Sequence, residues 1–200
     1  MANYRTSRIL PTVLTIIVII VAIAGFVALA RLLFGGGGSD ADKPLDTSQQ
    51  NLLNTSASRA VSMTVRGPIV ADEDFRSYRI VVSPTARDFK AYTGYLDAVT
   101  SQQTLNNNTA AYDQFVHALD KANLVVGDPF EGDKNDVRGI CATGKVYEFS
   151  LLNDNDAEET LWTSTCSGSP GSLKASVTQL SNLFFNQIPN GSNIESSLKL

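Results

Sequence analysis

Apolar positions along the chain change period several times, and each change marks a different kind of element. Residues 9 to 30 read "ILPTVLTIIVIIVAIAGFVALA", apolar apart from Pro11, Thr12, Thr15 and Gly25 and lacking the polar stripe of a water-facing helix. At about 1.5 Å per residue the run reaches roughly 33 Å, enough to cross a hydrocarbon layer of about 30 Å. This predicts a transmembrane signal anchor over residues 9–34.

Further along the period is two. In "AVSMTVR" Val61, Met63 and Val65 alternate with Ser62, Thr64 and Arg66, and Gly67-Pro68 ends the pattern. "FRSYRIVVS" repeats the alternation through Tyr78, Ile80 and Val82 up to the turn signal Ser83-Pro84. Residues 87–95, "RDFKAYTGY", fit a strand or the first turns of a helix, since Phe89, Tyr92 and Leu96 also have helical spacing; the Tyr and Thr content favours strand.

Spacings of three and four then take over. Tyr112, Phe115, Val116 and Leu119 predict an amphipathic helix capped by Asn108. Leu173, Val177, Leu180, Phe184 and Ile188 predict another, with Ser172 as its cap and Pro189 as its stop. Between them "KVYEFSLL" and "EETLWTST" flank the turn cluster "NDND", the signature of a hairpin. The expected fold is α+β, an antiparallel sheet packed against two helices.

Charge orients this architecture. Arg5 and Arg8 precede the span, whereas residues 35–200 hold 13 basic and all 20 acidic residues, a formal charge of −7. The positive-inside tendency makes residues 1–8 a cytoplasmic head and places the rest outside the membrane. Ala28-Leu29-Ala30 has the small-x-small form of a signal-peptidase site. The apolar run is nevertheless longer than the roughly 7–15 residues of a cleaved signal, and Arg31-Leu32-Leu33-Phe34 would be an unusual mature start. An uncleaved anchor is expected, and with no cysteine directly after the span a lipid-anchored start is excluded. Residues 35–58, rich in Gly, Ser, Asp, Thr and Gln, read as a flexible linker, 59–189 as the extracytoplasmic domain and 190–200 as a tail. A net-negative domain without a basic run argues against nucleic acid as a partner.

The two cysteines, Cys141 and Cys166, bracket the predicted hairpin. There is no C-x-x-C, and two Cys with one distant His cannot complete a four-ligand zinc site, so a structural disulfide is expected. If the pair faces directly across the hairpin, paired residue numbers sum to 307. That register sets Tyr147 opposite Thr160 and Lys145 opposite Trp162, with Tyr147, Phe149, Leu151 and Trp162 on the disulfide's face.

Other features approach known chemistry and stop short. Gly139 to Lys145 matches G-x-x-x-x-G-K, but Val146 replaces the hydroxyl residue that would hold magnesium, and a strand pattern follows where a helix should open. Acidic residues cluster as Asp128, Glu131, Asp133 and Asp136, and again as Asp154, Asp156, Glu158 and Glu159. Neither cluster has the spacing of a calcium loop. His117, the only histidine, lies off its helix's apolar stripe. With no G-x-S-x-G elbow, a nucleophilic triad has no cast, and no cofactor or metal is expected.

The runs "RILPTVLTIIVIIVAIA", "RGICATGKVYEFSLL" and "LWTSTCSGSPGSL" together resemble a group of uncharacterised single-pass bacterial surface proteins with a short cytoplasmic head. The resemblance implies the same topology and cell-envelope location. It implies no activity and no site residues. The expected function is a membrane-anchored module that binds an envelope protein or polymer. Two further classes stand beside it: an envelope hydrolase drawing on acids such as Asp133 or Asp156, and an accessory subunit of a surface or secretion complex.

Overall fold

The computed structural model describes residues 47–198 and residue 200. The head 1–8, the anchor 9–34 and linker residues 35–46 lie outside the described residues. Among the described residues no helix is long and apolar enough to cross a membrane.

Six strands form one antiparallel sheet: β1 (Arg59–Arg66), β2 (Arg76–Val82), β3 (Ala86–Thr93), β4 (Ala98–Asn106), β5 (Val146–Asn153) and β6 (Asp156–Ser164). Their order is β4-β3-β2-β1-β5-β6. The helices are α1 (Thr47–Leu53), α2 (Thr109–Lys121), α3 (Val177–Phe185) and α4 (Gly191–Ser197). The α+β class follows from the two periodicities, and of residues 87–95 those up to Thr93 lie in the strand their composition favours, while Gly94 and Tyr95 belong to the turn that follows.

One face of the sheet carries Val61, Met63, Val65, Tyr78, Ile80 and Phe149, which pack with helix residues into the main core. Phe184 of α3 sits edge-on to Phe115 of α2, centroids 5.2 Å apart, and touches Phe149 from above at 5.9 Å. Each such side chain removed from water contributes about 1.5–3 kcal/mol, which is why the 3.6-residue stripe dictates the docking side. Asn108 caps α2 by accepting the Ala111 N–H at 2.9 Å. Its far end closes with Asn123 at φ 61°, the Leu124 N–H reaching the Leu119 carbonyl and the Asn123 N–H that of Asp120.

Several local expectations are corrected. Residues 47–58, grouped with the linker on composition, contain α1, whose Leu52 is fully buried in the core. Gln49 ties α1 to α2 by donating to Asp120 at 2.8 Å. Residues 190–200, set apart as a tail, form α4, and Leu198 and Leu200 pack on the core. The cap of α3 is Ser176, which accepts from the Gln179 N–H. Ser172 is instead buried against β6, and Leu173 pairs with Gly127 in a single bridge. β4 has no apolar alternation and was invisible to periodicity.

The hairpin register also differs. Tyr147 faces Thr163, Glu148 faces Trp162 and Phe149 faces Leu161. Asp154 and Asn155, both at positive φ, make a two-residue turn, and a bulge beside Leu151 shifts the ladder by one. Trp162 therefore stands on the opposite face from Phe149. The Cys141–Cys166 disulfide forms, but from loops flanking the strands at the hairpin's open end, Cα atoms 5.6 Å apart.

Candidate functional site

The sheet face away from the helices carries the polar rows of the strands. Its interior rows run across the strands in register. Glu148, Thr64, Arg79, Lys90 and Gln102 stand side by side from β5 to β4, and Ser150, Ser62, Val81, Asp88 and Thr104 form the next row. Polar alternation in β1 to β3, which marked one face of each strand as solvent-side, thus assembles into one polar floor.

At the open end of the hairpin this face is roofed. Loop residues Val137 and Cys141 pack on Val146 and Trp162 in a second small core, joined at its margin by Phe130, Ile140 and Cys166. The rings of Phe130 and Trp162 lie 5.8 Å apart. Gly144 belongs here for want of space: a Cβ would lie 2.2 Å from the Thr165 hydroxyl and 2.9 Å from the Cys141 sulfur. The near-P-loop is therefore a packing device for the disulfide, followed by β5 where a phosphate loop would open a helix.

Against this roof lies an apolar cleft of about 240 Å³, bounded by Phe75, Tyr95 and Ile69 on one side and Val137, Cys141 and Val146 on the other. Tyr95 stacks on Phe75 with centroids 4.3 Å apart, and its hydroxyl donates to the Val70 carbonyl at 2.6 Å. Asp72 holds the same turn by accepting the Tyr95 N–H at 2.7 Å, and the Ile69 N–H reaches Ala142 on the opposite wall. Beside the cleft Leu96 is 96% exposed, and Ile69, Val70 and Val99 also show apolar surface to solvent. Arg66, paired with Glu148 at 2.8 Å, and Arg138 stand at its rim. The Asp136 carboxyl accepts from the Arg138 side chain and backbone and is held down at about 2.

Arg66 also lines a second hollow with Thr64, Ser77, Arg79, Tyr92 and Asp97. Arg79 and Tyr92 continue into a third, of about 340 Å³, with Lys90, Asp88, Gln102 and Thr104. The three hollows adjoin along this face: Arg66 borders the first and second, and Arg79 and Tyr92 border the second and third, so an apolar hollow is followed by two polar ones. Burial pushes the Tyr92 phenol above its ordinary range; Arg79 opposes that shift and Asp97 adds to it.

The acids singled out in the sequence are dispersed. Asp128 pairs with Lys174, Asp136 with Arg138, and Glu158 with Arg59 and Asn153. Asp133 lies in the loop beyond the hairpin's open end and Asp156 beside its tip, so β5 and β6 separate them. Among the described residues no three His, Cys, Asp or Glu side chains converge on a metal position. His117 is exposed on α2 beside Asp113. Neither the cleft residues Ile69 and Tyr95 nor their neighbours Val70 and Leu96 stand out as a site in the sequence; the signal present is apolar residues inside Gly- and Pro-marked turns, where solvent-facing polar residues are expected. The chain matches no protein-family model and no curated protein.

Proposed function

We propose that this chain is an extracytoplasmic binding module, held at the cell membrane by residues 9–34 and contacting its ligand through the open sheet face. One observation carries the reading: the described helices pack on one side of the sheet, and the other carries three adjoining hollows, the first apolar and the next two walled by hydrogen-bonding groups, with Leu96 exposed in the β3–β4 turn next to Tyr95. That combination of an apolar anchor with convergent polar groups is how binding sites achieve both affinity and orientation. The extracytoplasmic location draws its support from the charge around the span and from the disulfide.

A photo-crosslinking residue placed at Leu96, and separately at the exposed Gln179 of α3, tests the surface in intact cells. Adducts at Leu96 and none at Gln179 are expected. Equal labelling at both positions, or none, would refute the assignment. External protease should digest the domain without membrane rupture; digestion only after rupture would reverse the topology.

A further inference from the structure

Arg79 and Lys90 are direct cross-strand partners on the open face. Like charges placed opposite each other destabilise a sheet, and an ordinary solvated face sets opposite charges there. Neither cation forms an ion pair among the described residues. The Arg79 guanidinium donates to Ser62 at a long 3.4 Å, and its Nε is buried without a hydrogen-bond partner. A guanidinium carries five fixed donors suited to paired oxygens, so burying one of them unmet is costly.

The carboxylates on the same face do not resolve this. Glu148, in the same row, is held by Arg66, and Asp88 accepts from the Thr104 hydroxyl at 2.6 Å. Asp97 lines the adjoining hollow near Tyr92 and Arg79 without pairing with either cation. The hollow of about 340 Å³ in front of the two cations is walled by Tyr92, Gln102, Thr104 and Asn155, by Val81, and at one side by the Asp88 carboxylate, which is turned to the Thr104 hydroxyl.

We infer that Arg79 and Lys90 form an oxyanion site at the third hollow, binding a carboxylate or phosphate borne on a polar ligand that lies across β2, β3 and β4. The inference rests on the open face being the binding surface and adds the chemistry of what is bound. Arg79 receives the anion as a fork, Lys90 as a point charge, and Gln102 and Thr104 contact the ligand beside it. The anion relieves the facing charges, so the repulsion that weakens the empty sheet becomes affinity in the filled one.

Isothermal titration of the full chain in detergent micelles tests this, with three probes: oligogalacturonate, which carries carboxylates, inorganic tripolyphosphate, and maltohexaose as the neutral control. At least one of the charged probes should bind and maltohexaose should not. Arg79→Gln and Lys90→Gln should each weaken binding at least about tenfold, the value of one charge-assisted hydrogen bond. Lys121→Gln, at the end of α2, should leave it unchanged. The tighter of the two charged probes identifies the source of the oxyanion. Lys90→Gln should also raise the unfolding midpoint of the ligand-free protein, a readout independent of any probe. Failure of both charged probes, equal weakening by Lys121→Gln, or a lowered midpoint for Lys90→Gln overturns the site. Binding of maltohexaose that is lost in Tyr92→Ala but kept in Arg79→Gln would overturn the oxyanion site while leaving the open face as the binding surface.

Discussion

The buried hydroxyl of Ser172 accepts the backbone N–H of Trp162 at 3.0 Å, and the Ser172 and Leu173 N–H groups return bonds to the Trp162 carbonyl at 2.9 Å. A side chain thus finishes the outer edge of β6. Gly171 permits the close approach, since a Cβ there would lie 2.2 Å from the Trp162 carbonyl oxygen. Ser172→Ala leaves a buried donor unmet and is expected to cost about 1–3 kcal/mol, read by chemical denaturation of the full chain. If Ser172 were the helix cap, the loss would appear as reduced helicity instead.

Replacing both Cys141 and Cys166 by Ser should lower stability by about 2–5 kcal/mol, the usual consequence of opening a native bridge, here one spanning 25 residues. Trp162, the sole tryptophan, reports the local effect. Its emission should shift to longer wavelength in the still-folded double variant as Val137 and Cys141 cease to cover it. An unshifted spectrum would show that the small core closes without the bridge.

Leu52→Ala is expected to cost about 2–5 kcal/mol, because the side chain is fully buried against the main core. The same substitution in a true linker would change nothing. Unfolding curves of the two proteins decide between these outcomes.

The Asp136 carboxyl is lowered from 3.8 to about 2, first by its side-chain bonds to Arg138 and then by the Arg138 backbone N–H. Its folded-state value lies below its unfolded one, so its contribution is complete above about pH 3.8 and is lost as pH falls through about 2. The group is exposed, and the effect is confined to the loop at the cleft rim. A carboxyl carbon resonance of Asp136 titrating near 2 would verify it, and a midpoint near 4 would remove the pairing.

Legibility in the sequence followed burial. Val61, Met63 and Val65, or Tyr112, Phe115 and Leu119, repeat because one side of each element is dry, and periodicity reads that directly. β4 repeats nothing, since it lies at the sheet edge with Ala98 to Gln102 all exposed. The hairpin register differs from the one the cysteine spacing predicts because both cysteines lie outside the ladder, and the two-residue turn and the bulge beside Leu151 set the pairing. The facing cations were harder still: Arg79 and Lys90 meet only through the pairing of β2 with β3, a relation no local pattern encodes.

Cys141 is itself part of the cleft wall, with Gly144 and Thr165 closed in behind the sulfurs. The one covalent cross-link among the described residues therefore fastens the cleft wall and the small core around Trp162, while the main core that joins sheet to helices includes neither cysteine.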